Sequence, residues 1–299
     1  MIDGLNCGNT EIRTTYDNNM MTRVDLHTHT FYSDGKHPPE YICQQAADAD
    51  VSHLAITDHD CIDAWTGLQP DGHGVTLIAG VEISSAWENL EIHVVGLCFD
   101  QKNTVLLDLL KQQKIRRQTR IQAINSKLEK LGSFGLSAYI DSLGCHSPTR
   151  SHVADFLVDK KLVANRQKAF KKYLGPNGKI YVASHWCELQ EAISTINQAG
   201  GIAVLAHPDR YNLTRTKLRR LVHAFEQAGG SALEASYSQI DNIAQKYLKE
   251  LALEFNMYLS MGSDFHTEDA PWTRIGKMPA INFGDKKNAI WDHPKWRSL

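Results

Sequence analysis

Short apolar runs that end at a histidine or a carboxylate recur along this chain, and this repetition constrains the fold more than any other feature. Runs of this length, alternating with longer helical patterns, are typical of a sheet of parallel strands, closed or open. In such folds the loops that carry chemistry meet at the carboxyl ends of the strands. The sequence therefore predicts an α/β fold with one functional rim. The runs cover residues 24–26, 54–57, 77–81, 92–96, 202–206 and 258–263.

The polar residues at these strand ends are metal-ligand types. His27 and His29, spaced i, i+2 on a strand, face the same side, and Asp34 follows in the next turn. Taken singly, each residue has an ordinary explanation, such as an acid that caps the next helix. Those explanations would all have to hold at the ends of different strands, so we predict a metal centre instead. The other candidate ligands are His59, Glu82, His93, His207, Asp264 and His266. A set of imidazoles and carboxylates suits Mn²⁺, Fe²⁺ or Zn²⁺.

These motifs resemble those of the polymerase and histidinol phosphatase family of metallo-phosphoesterases. The resemblance runs from Arg23 to about Lys277. It implies a distorted seven-stranded β/α barrel, α/β in class, that holds two to three divalent metal ions, with Mn²⁺ as the first expectation and Fe²⁺ or Zn²⁺ as alternatives. The matching segments are 25–29, 33–35, 57–59, 80–84, His93, 206–208 and 262–266.

The resemblance also implies how the ligands are shared among the ions. One ion would be held by His27, His29, Glu82 and Asp264, a second by Asp34, His59 and His266, and a third by Glu82, His93 and His207. Glu82 would bridge two of the ions. The water that attacks the substrate would be bound to metal held by His27, His29, Asp34, Glu82 and Asp264. Asp25 and Asp58 are expected to orient imidazoles from outside this set.

Within the family, the chain is most similar to stand-alone bacterial enzymes that remove the 3′-phosphate from nucleoside 3′,5′-bisphosphates. Those enzymes are also described as 5′-to-3′ exoribonucleases that act on short RNA and on ribosomal RNA ends. The likeness implies nucleoside bisphosphates and short 5′-phosphorylated RNA as substrates, with DNA a poorer one, and 5′-mononucleotides as products. It rests on segments 170–174, 181–182, 206–211 and 271–272.

Two other functions stay open at this point. One is a small-molecule phosphatase, such as one that acts on histidinol phosphate, which would use the same metals. The other is a metal-stabilised module that binds nucleic acid without hydrolysing it. The complete set of nine candidate ligands argues against the second, because a site without hydrolysis has no need of every carboxylate.

Composition indicates a cytoplasmic enzyme. The chain has 299 residues, 42% of them apolar, and a net charge of −2. It shows no apolar run near the roughly 20 residues that span a bilayer, and its polar first residues do not read as a signal peptide. Its six cysteines are scattered without a Cys-X-X-Cys pair, which disfavours thiolate zinc sites and a disulfide framework. Nothing in the sequence indicates membrane binding or an obligate protein partner.

Patterning divides the chain into three parts. Residues 1–22 lack periodicity and are expected to be a disordered or artefactual extension, with Met20 or Met21 as an alternative start. Residues 23–100 and 191–299 are expected to form the metal-binding barrel. Residues 101–190 are expected to form a small helical insertion, with one long helix over about 103–131 and a second helical stretch over about 150–174.

The expected insertion is strongly basic. Between Lys111 and Val182 there are fifteen Lys and Arg residues against four Asp and Glu. A single charge run is usually a solvated helix face, but this excess is large and confined to one segment. Because guanidinium groups pair well with phosphate oxygens, we expect this segment to hold a substrate phosphate. The candidates for that contact are Arg150, His152, Arg116 and Arg117.

Overall fold

A barrel-shaped, nearly closed sheet forms the centre of the computed structural model, which describes residues 23–68, 74–283 and 288–298. Within these residues seven strands follow one another in the order β1-β2-β3-β4-β6-β7-β8, and the two-residue β5 pairs with β3 beside this path. The strands are β1 (Val24–Thr28), β2 (His53–Ile56), β3 (Thr76–Trp87), β4 (Leu90–Leu97), β5 (Cys187–Glu188), β6 (Ile202–Leu205), β7 (Ala232–Ser236) and β8 (Tyr258–Met261). The expected extension over residues 1–22 lies outside the described residues.

The first and last strands of the path approach each other and bring the sheet close to closure. The backbone N–H of Asp264 donates to the carbonyl of His27 (2.8 Å), and that of His29 donates to the carbonyl of Phe265 (2.9 Å). Gly262 allows this approach, because a Cβ atom there would lie 2.3 Å from the Cβ of His27. The predicted seven-stranded β/α barrel is confirmed.

One strand of the barrel runs against the others. β4 pairs antiparallel with both β3 and β6, whereas the other neighbours along the path are parallel. The sequence predicted that the third strand ends at Glu82, and this is wrong, because β3 continues to Trp87. Glu88 and Asn89 have φ values of 47° and 62° and turn the chain tightly into β4. Glu82 therefore lies within a strand and not at its end.

Helices cover the outside of the sheet and build the largest apolar cluster with it. Helices α6, α7 and α8 pack on β3, β4, β6 and β7 through residues such as Ile193, Phe225 and Leu251, all buried. The helices are α1 (Pro39–Asp48), α2 (Thr104–Lys130), α3 (Leu136–Ser142), α4 (Arg150–Asp159), α5 (Arg166–Ala169), α6 (Leu189–Gln198), α7 (Arg215–Gln227) and α8 (Asn242–Glu254). In the parts of the chain that the structure describes, no helix combines the length and apolarity needed to cross a membrane.

The long helix α2 connects the barrel to a second apolar cluster. Its first turns pack against the barrel through Leu106 and Leu110, and its later turns pack through Ile124 and Leu128 against α3 and α4. The second helical stretch predicted over 150–174 is interrupted, because α4 ends at Asp159 and α5 begins only at Arg166. The boundary predicted at residue 101 stays a prediction.

Replacement of Gly262 by alanine is expected to strain the junction of β1 and β8. The new methyl group would press on His27 backbone and Cβ atoms at 2.3–2.9 Å, so we expect a loss of about 3 kcal/mol in the free energy of unfolding. Denaturant titration measures it. In the control Gly132→Ala, the backbone φ is +78°, but no atom lies within 4 Å of the added Cβ. The expected loss in the free energy of unfolding is therefore only about 1 kcal/mol. Equal losses in the two variants would contradict the role given to close packing at Gly262.

Candidate metal centre

Glu82 lies at the centre of the predicted ligand cluster. Its side chain is 1% exposed, and Oε2 lies 2.9 Å from His59 Nδ1. Oε1 lies 3.0 Å from both His93 Nδ1 and His207 Nε2. The Glu82 carboxylate is therefore in contact with several of the candidate imidazole ligands at once. Within the described part of the chain, the imidazoles around it are those of His27, His29, His59, His93 and His207.

Two further carboxylates complete the cluster. Asp34 Oδ1 lies 3.2 Å from His266 Nε2 and 3.7 Å from His59 Nε2. Asp264 Oδ1 lies 3.3 Å from His29 Nε2 and 3.6 Å from His266 Nδ1. The structure therefore brings together all nine residues that the sequence predicted as ligands.

The donor atoms of this cluster fit metal ions. Four buried donor atoms lie close to other members of the cluster but make no hydrogen bond of acceptable geometry among the described residues. They are His27 Nε2, His29 Nε2, Asp34 Oδ1 and His59 Nδ1. Buried polar atoms in this condition are costly unless another group satisfies them. In the described ranges, three groups keep their donor atoms within 4.8 Å of one another and are able to hold an ion: His29, Asp34, His59 and His266; His27, His29 and Glu82; His59, Glu82 and His93. They overlap the three implied sets, but His29 and His59 each belong to two groups.

The protonation states suit cation binding at the carboxylates. Burial raises the pKa of Glu82, but the neighbouring imidazoles outweigh burial and hold it well below its usual value. The pKa values of Asp34 and Asp264 are lowered in the same way. Burial, together with the charge of His266, lowers the pKa of His29 to about 3. Burial opposes protonation of His93, yet Glu82 raises its pKa to about 10. A metal ion that binds here would thus displace a proton from His93.

A buried acid that the sequence did not single out supports two of the ligands. Glu234 on β7 accepts a hydrogen bond from the backbone N–H of His207 (2.7 Å), and its Oε1 lies 3.0 Å from His27 Nδ1. This contact fixes the imidazole of His27 so that Nε2 faces the cluster. The available signal was an acid inside a short apolar run, Ala232–Ser236, which the strand prediction passed over.

The two acids expected to orient imidazoles act differently. Asp58 accepts from the hydroxyl of Ser33 (2.5 Å), whose oxygen lies 3.4 Å from His29 Nδ1, so it reaches His29 only through Ser33. Asp25 accepts from the backbone N–H groups of Ser263 (2.7 Å) and Gly276 (2.8 Å). Asp25 therefore holds the chain beside Asp264 and orients no imidazole directly.

The helical segment reaches the cluster through Thr149. The Thr149 hydroxyl donates to Asp34 Oδ2 (2.9 Å) and accepts from the backbone N–H of Ser151 (3.1 Å), which caps α4. One side chain thus joins a candidate metal ligand to the start of a helix. No local sequence pattern indicates this contact, because the two residues are 115 positions apart.

A pocket of about 140 Å³ opens between the cluster and the helical segment. Of the four predicted phosphate contacts, Arg150 and Arg117 line it, whereas Arg116 and His152 are not among its lining residues. His152 is buried, and its Nδ1 accepts from the backbone N–H of Thr149 (3.0 Å), which completes the cap of α4. The lining includes Asp34, His59, Glu91, His93, Arg117, Arg120, Arg150, Phe170 and Trp186.

Arg117 is engaged within the protein. It is 4% exposed, its Nε donates to Asp60 Oδ2 (2.8 Å), and its Nη2 donates to the hydroxyl of Ser84 (2.8 Å). This network fastens α2 to the loop after β2, next to His59. Arg120 also lines the pocket with Arg150, and it was not among the predicted contacts. It donates to Val182 O (3.2 Å) and lies 3.4 Å from Glu91.

Arg210 is a further charged residue at the cluster that the ligand prediction left out. It forms an ion pair with Asp264, donates to the carbonyl of Ser238 (3.1 Å), and lies over the ring of Tyr237 at 5.0 Å. Its side chain is 38% exposed. The signal was present, since the residue lies three positions after His207 in a segment that carries the family resemblance.

Comparison with known proteins gives the class. The family model described as PHP domain matches residues 25–259, and the chain belongs to this family. The match spans nearly all of the barrel and seven of the nine candidate ligands, whereas Asp264 and His266 follow its last residue.

The chain is similar along most of its length to three curated bacterial proteins. It is 38% identical to the 5′-3′ exoribonuclease Rnm of Escherichia coli K12, over 93% of this chain and 97% of that protein, and 40% identical to the Rnm of Salmonella typhimurium, with the same coverage of both chains. It is 35% identical to the 3′,5′-nucleoside bisphosphate phosphatase of Chromobacterium violaceum, over 82% and 88% of the two chains.

Solved structures agree with the fold. The structure of an amidohydrolase from Chromobacterium violaceum, with bound sulfate and no metal, superposes with a TM-score of 0.82 at 31% identity, covering 92% of this chain and 95% of that one. A protein from Bifidobacterium adolescentis shares the fold, with a TM-score of 0.75 at 24% identity, covering 85% of this chain and 90% of the other.

Replacement of Glu234 by glutamine is expected to weaken metal binding. One amide oxygen cannot replace the charged acceptor that holds both His27 and His207, so we expect the affinity for Mn²⁺ to fall roughly ten-fold or more. Calorimetric titration of metal-stripped protein measures it. Glu254→Gln is the control, because it removes an equal charge from an exposed pair with Arg219. If both variants bound Mn²⁺ like the parent, the role given to Glu234 would be wrong.

Proposed function

We propose that this protein is a metal-dependent phosphoesterase that removes the 3′-phosphate from nucleoside 3′,5′-bisphosphates. On the same site it would release 5′-mononucleotides stepwise from the 5′ end of short 5′-phosphorylated RNA, and less well from DNA. The observation that carries the proposal is that one pocket of about 140 Å³ is lined both by the candidate ligands Asp34, His59 and His93 and by Arg120 and Arg150. The names of the relatives at 35–40% identity support both activities.

The metal ions would be held by the nine residues of the cluster, two to three ions to a chain. Divalent ions at such a site supply the Lewis acidity that activates water and neutralises charge on a phosphate. Mn²⁺ is our first assignment, with Fe²⁺ or Zn²⁺ as alternatives, because the donors are imidazoles and carboxylates. In the catalytic set we place His27, His29, Asp34, Glu82 and Asp264.

The arginine side of the pocket would hold the 5′-phosphate. Arg150 is the first residue of α4, so its guanidinium and the positive end of that helix dipole both favour an anion. Thr149 fixes this helix end against Asp34. Because Arg150 and cluster residues line the same pocket, a 5′-phosphate held at Arg150 would leave the 3′-phosphate of the same nucleotide to bind at the cluster. One placement then serves both the bisphosphate and the first internucleotide bond of an RNA.

The remaining parts of the proposal concern biological setting. The relatives named as 5′-3′ exoribonucleases support RNA ends as natural substrates. Our proposal includes the ends of ribosomal RNA among them. The cysteines within the described residues are all free thiols, which suits a reducing compartment such as the cytoplasm. A phosphatase for small molecules such as histidinol phosphate would use the same cluster, but that function does not explain why Arg120 and Arg150 line the pocket.

Replacement of Arg150 by alanine is expected to remove the preference for a 5′-phosphate. Loss of a charge-assisted contact should raise KM for a 5′-phosphorylated RNA pentamer roughly ten-fold or more. Hydrolysis of the 5′-hydroxyl pentamer should change little, because that substrate offers no phosphate to Arg150. Steady-state assays of Mn²⁺-loaded protein, with adenosine 3′,5′-bisphosphate as a third substrate, measure the difference.

Arg116→Ala provides the matched control. Arg116 carries the same charge on α2, but its Nη1 donates to Gln113 Oε1 (2.7 Å) outside the pocket lining, so it should leave all three KM values near those of the parent. Equal effects of Arg150→Ala on both pentamers would refute the anchor. Turnover of histidinol phosphate with none of the three nucleotide substrates would refute the proposed function.

A further inference from the structure

Glu91 places a carboxylate inside the pocket where the proposed substrate phosphate binds. It lies on β4 two residues before His93, and its side chain is 22% exposed. Its Oε2 lies 3.2 Å from Arg150 Nη2 and 3.4 Å from Arg120 Nη1, and its Oε1 lies 3.6 Å from His93 Nε2. The protein therefore supplies an anion of its own to the two arginines.

This arrangement works against the binding of a phosphate. Among the residues that line the pocket, the acids are Asp34 and Glu91, and Asp34 belongs to the ligand cluster. A third arginine of the lining, Arg117, is already paired with Asp60. The charges of Arg120 and Arg150 would balance a phosphate dianion without Glu91, whereas Glu91 leaves one negative charge in excess. The excess weakens phosphate binding, because like charges in a partly buried site repel strongly.

The cost falls differently on substrate and product. A nucleoside 3′,5′-bisphosphate is held at two points, with one phosphate at the arginines and the other at the cluster. The 5′-mononucleotide that remains after hydrolysis has only the arginine contact. A charge that weakens this contact therefore lowers the affinity for both ligands, and for the product it acts on the one phosphate contact that remains.

We propose that Glu91 is a resident counter-ion that competes with the 5′-phosphate for Arg120 and Arg150, and that it sets product release and the affinity for 5′-phosphorylated ligands. The inference rests on the proposed function, because it takes Arg120 and Arg150 as the 5′-phosphate site. It assigns Glu91 a role in ligand affinity and release, separate from the chemical step at the cluster.

The test is Glu91→Gln, which keeps the size of the side chain and removes its charge. We expect the inhibition constant of adenosine 5′-monophosphate to fall roughly ten-fold, KM for adenosine 3′,5′-bisphosphate to fall with it, and kcat to decrease as product release slows. Calorimetric titration with adenosine 5′-monophosphate should show the same gain in affinity. A purely structural role would give no gain.

Glu88→Gln is the matched control. Glu88 lies in the same hairpin and pairs with Arg220 and Lys217 on α7, away from the pocket lining. It should leave the inhibition constant and KM as in the parent. The double variant Glu91→Gln/Arg150→Ala should gain less affinity over Arg150→Ala than Glu91→Gln gains over the parent, because one of the two arginines that Glu91 competes for is then absent.

The possible outcomes separate the two proposals. In one outcome, Arg150→Ala binds adenosine 5′-monophosphate more weakly than the parent, but Glu91→Gln binds it no more tightly than the parent. This outcome overturns the counter-ion and leaves the proposed function standing. A gain that persists undiminished in the double variant overturns the counter-ion in the same way. If Arg150→Ala binds adenosine 5′-monophosphate as tightly as the parent does, the role of Arg150 as the 5′-phosphate contact is wrong, and the counter-ion proposal is wrong with it.

Discussion

The buried carboxylate of Glu82 is the interaction on which the rest of this structure depends. A charge that is 1% exposed is costly unless opposite charges or metal ions surround it. Here β1, β4, β6 and the loop after β2 each deliver an imidazole to within 3.4 Å of it. Such convergence needs a curved sheet, since strands of a flat sheet could not all face one point. The close approach of β1 and β8 at Gly262 and the return of β4 against its neighbours both serve this geometry.

In the proposed function, the helical segment makes the candidate metal centre selective for its substrate. Two contacts fix it relative to the cluster: Thr149 to Asp34, and Arg117 to Asp60 beside His59. Because both contacts end next to candidate ligands, the distance from Arg150 to the cluster is set by packed, hydrogen-bonded side chains. We attribute the proposed choice of 5′-phosphorylated nucleotides to this distance, and the proposed release of the product to the competing charge of Glu91.

The sequence predicted the barrel and the gathering of nine candidate ligands, because each ligand lies next to a short apolar run and both signals are local. It failed where a residue acts on a distant part of the chain. Glu234 contacts His27 across 207 positions, and Thr149 contacts Asp34 across 115, and no local pattern marks either pair. Arg116 and Arg117 show another limit of prediction from the sequence. Because one step along a helix turns a side chain by about 100°, neighbouring arginines face different surroundings. Charge located the basic segment, but only packing shows which arginines face the pocket.

Ion stoichiometry in the parent and in Glu82→Gln tests the central claim most directly. Native mass spectrometry of Mn²⁺-loaded protein reports how many ions each chain holds, independently of any activity. We expect two to three ions in the parent and the loss of more than one in the variant, because Glu82 is shared between sites. Asp155→Asn, which removes an acid paired with Lys36 and Arg166 outside the cluster, should keep the full number. An unchanged stoichiometry in Glu82→Gln would contradict a metal centre organised around this carboxylate.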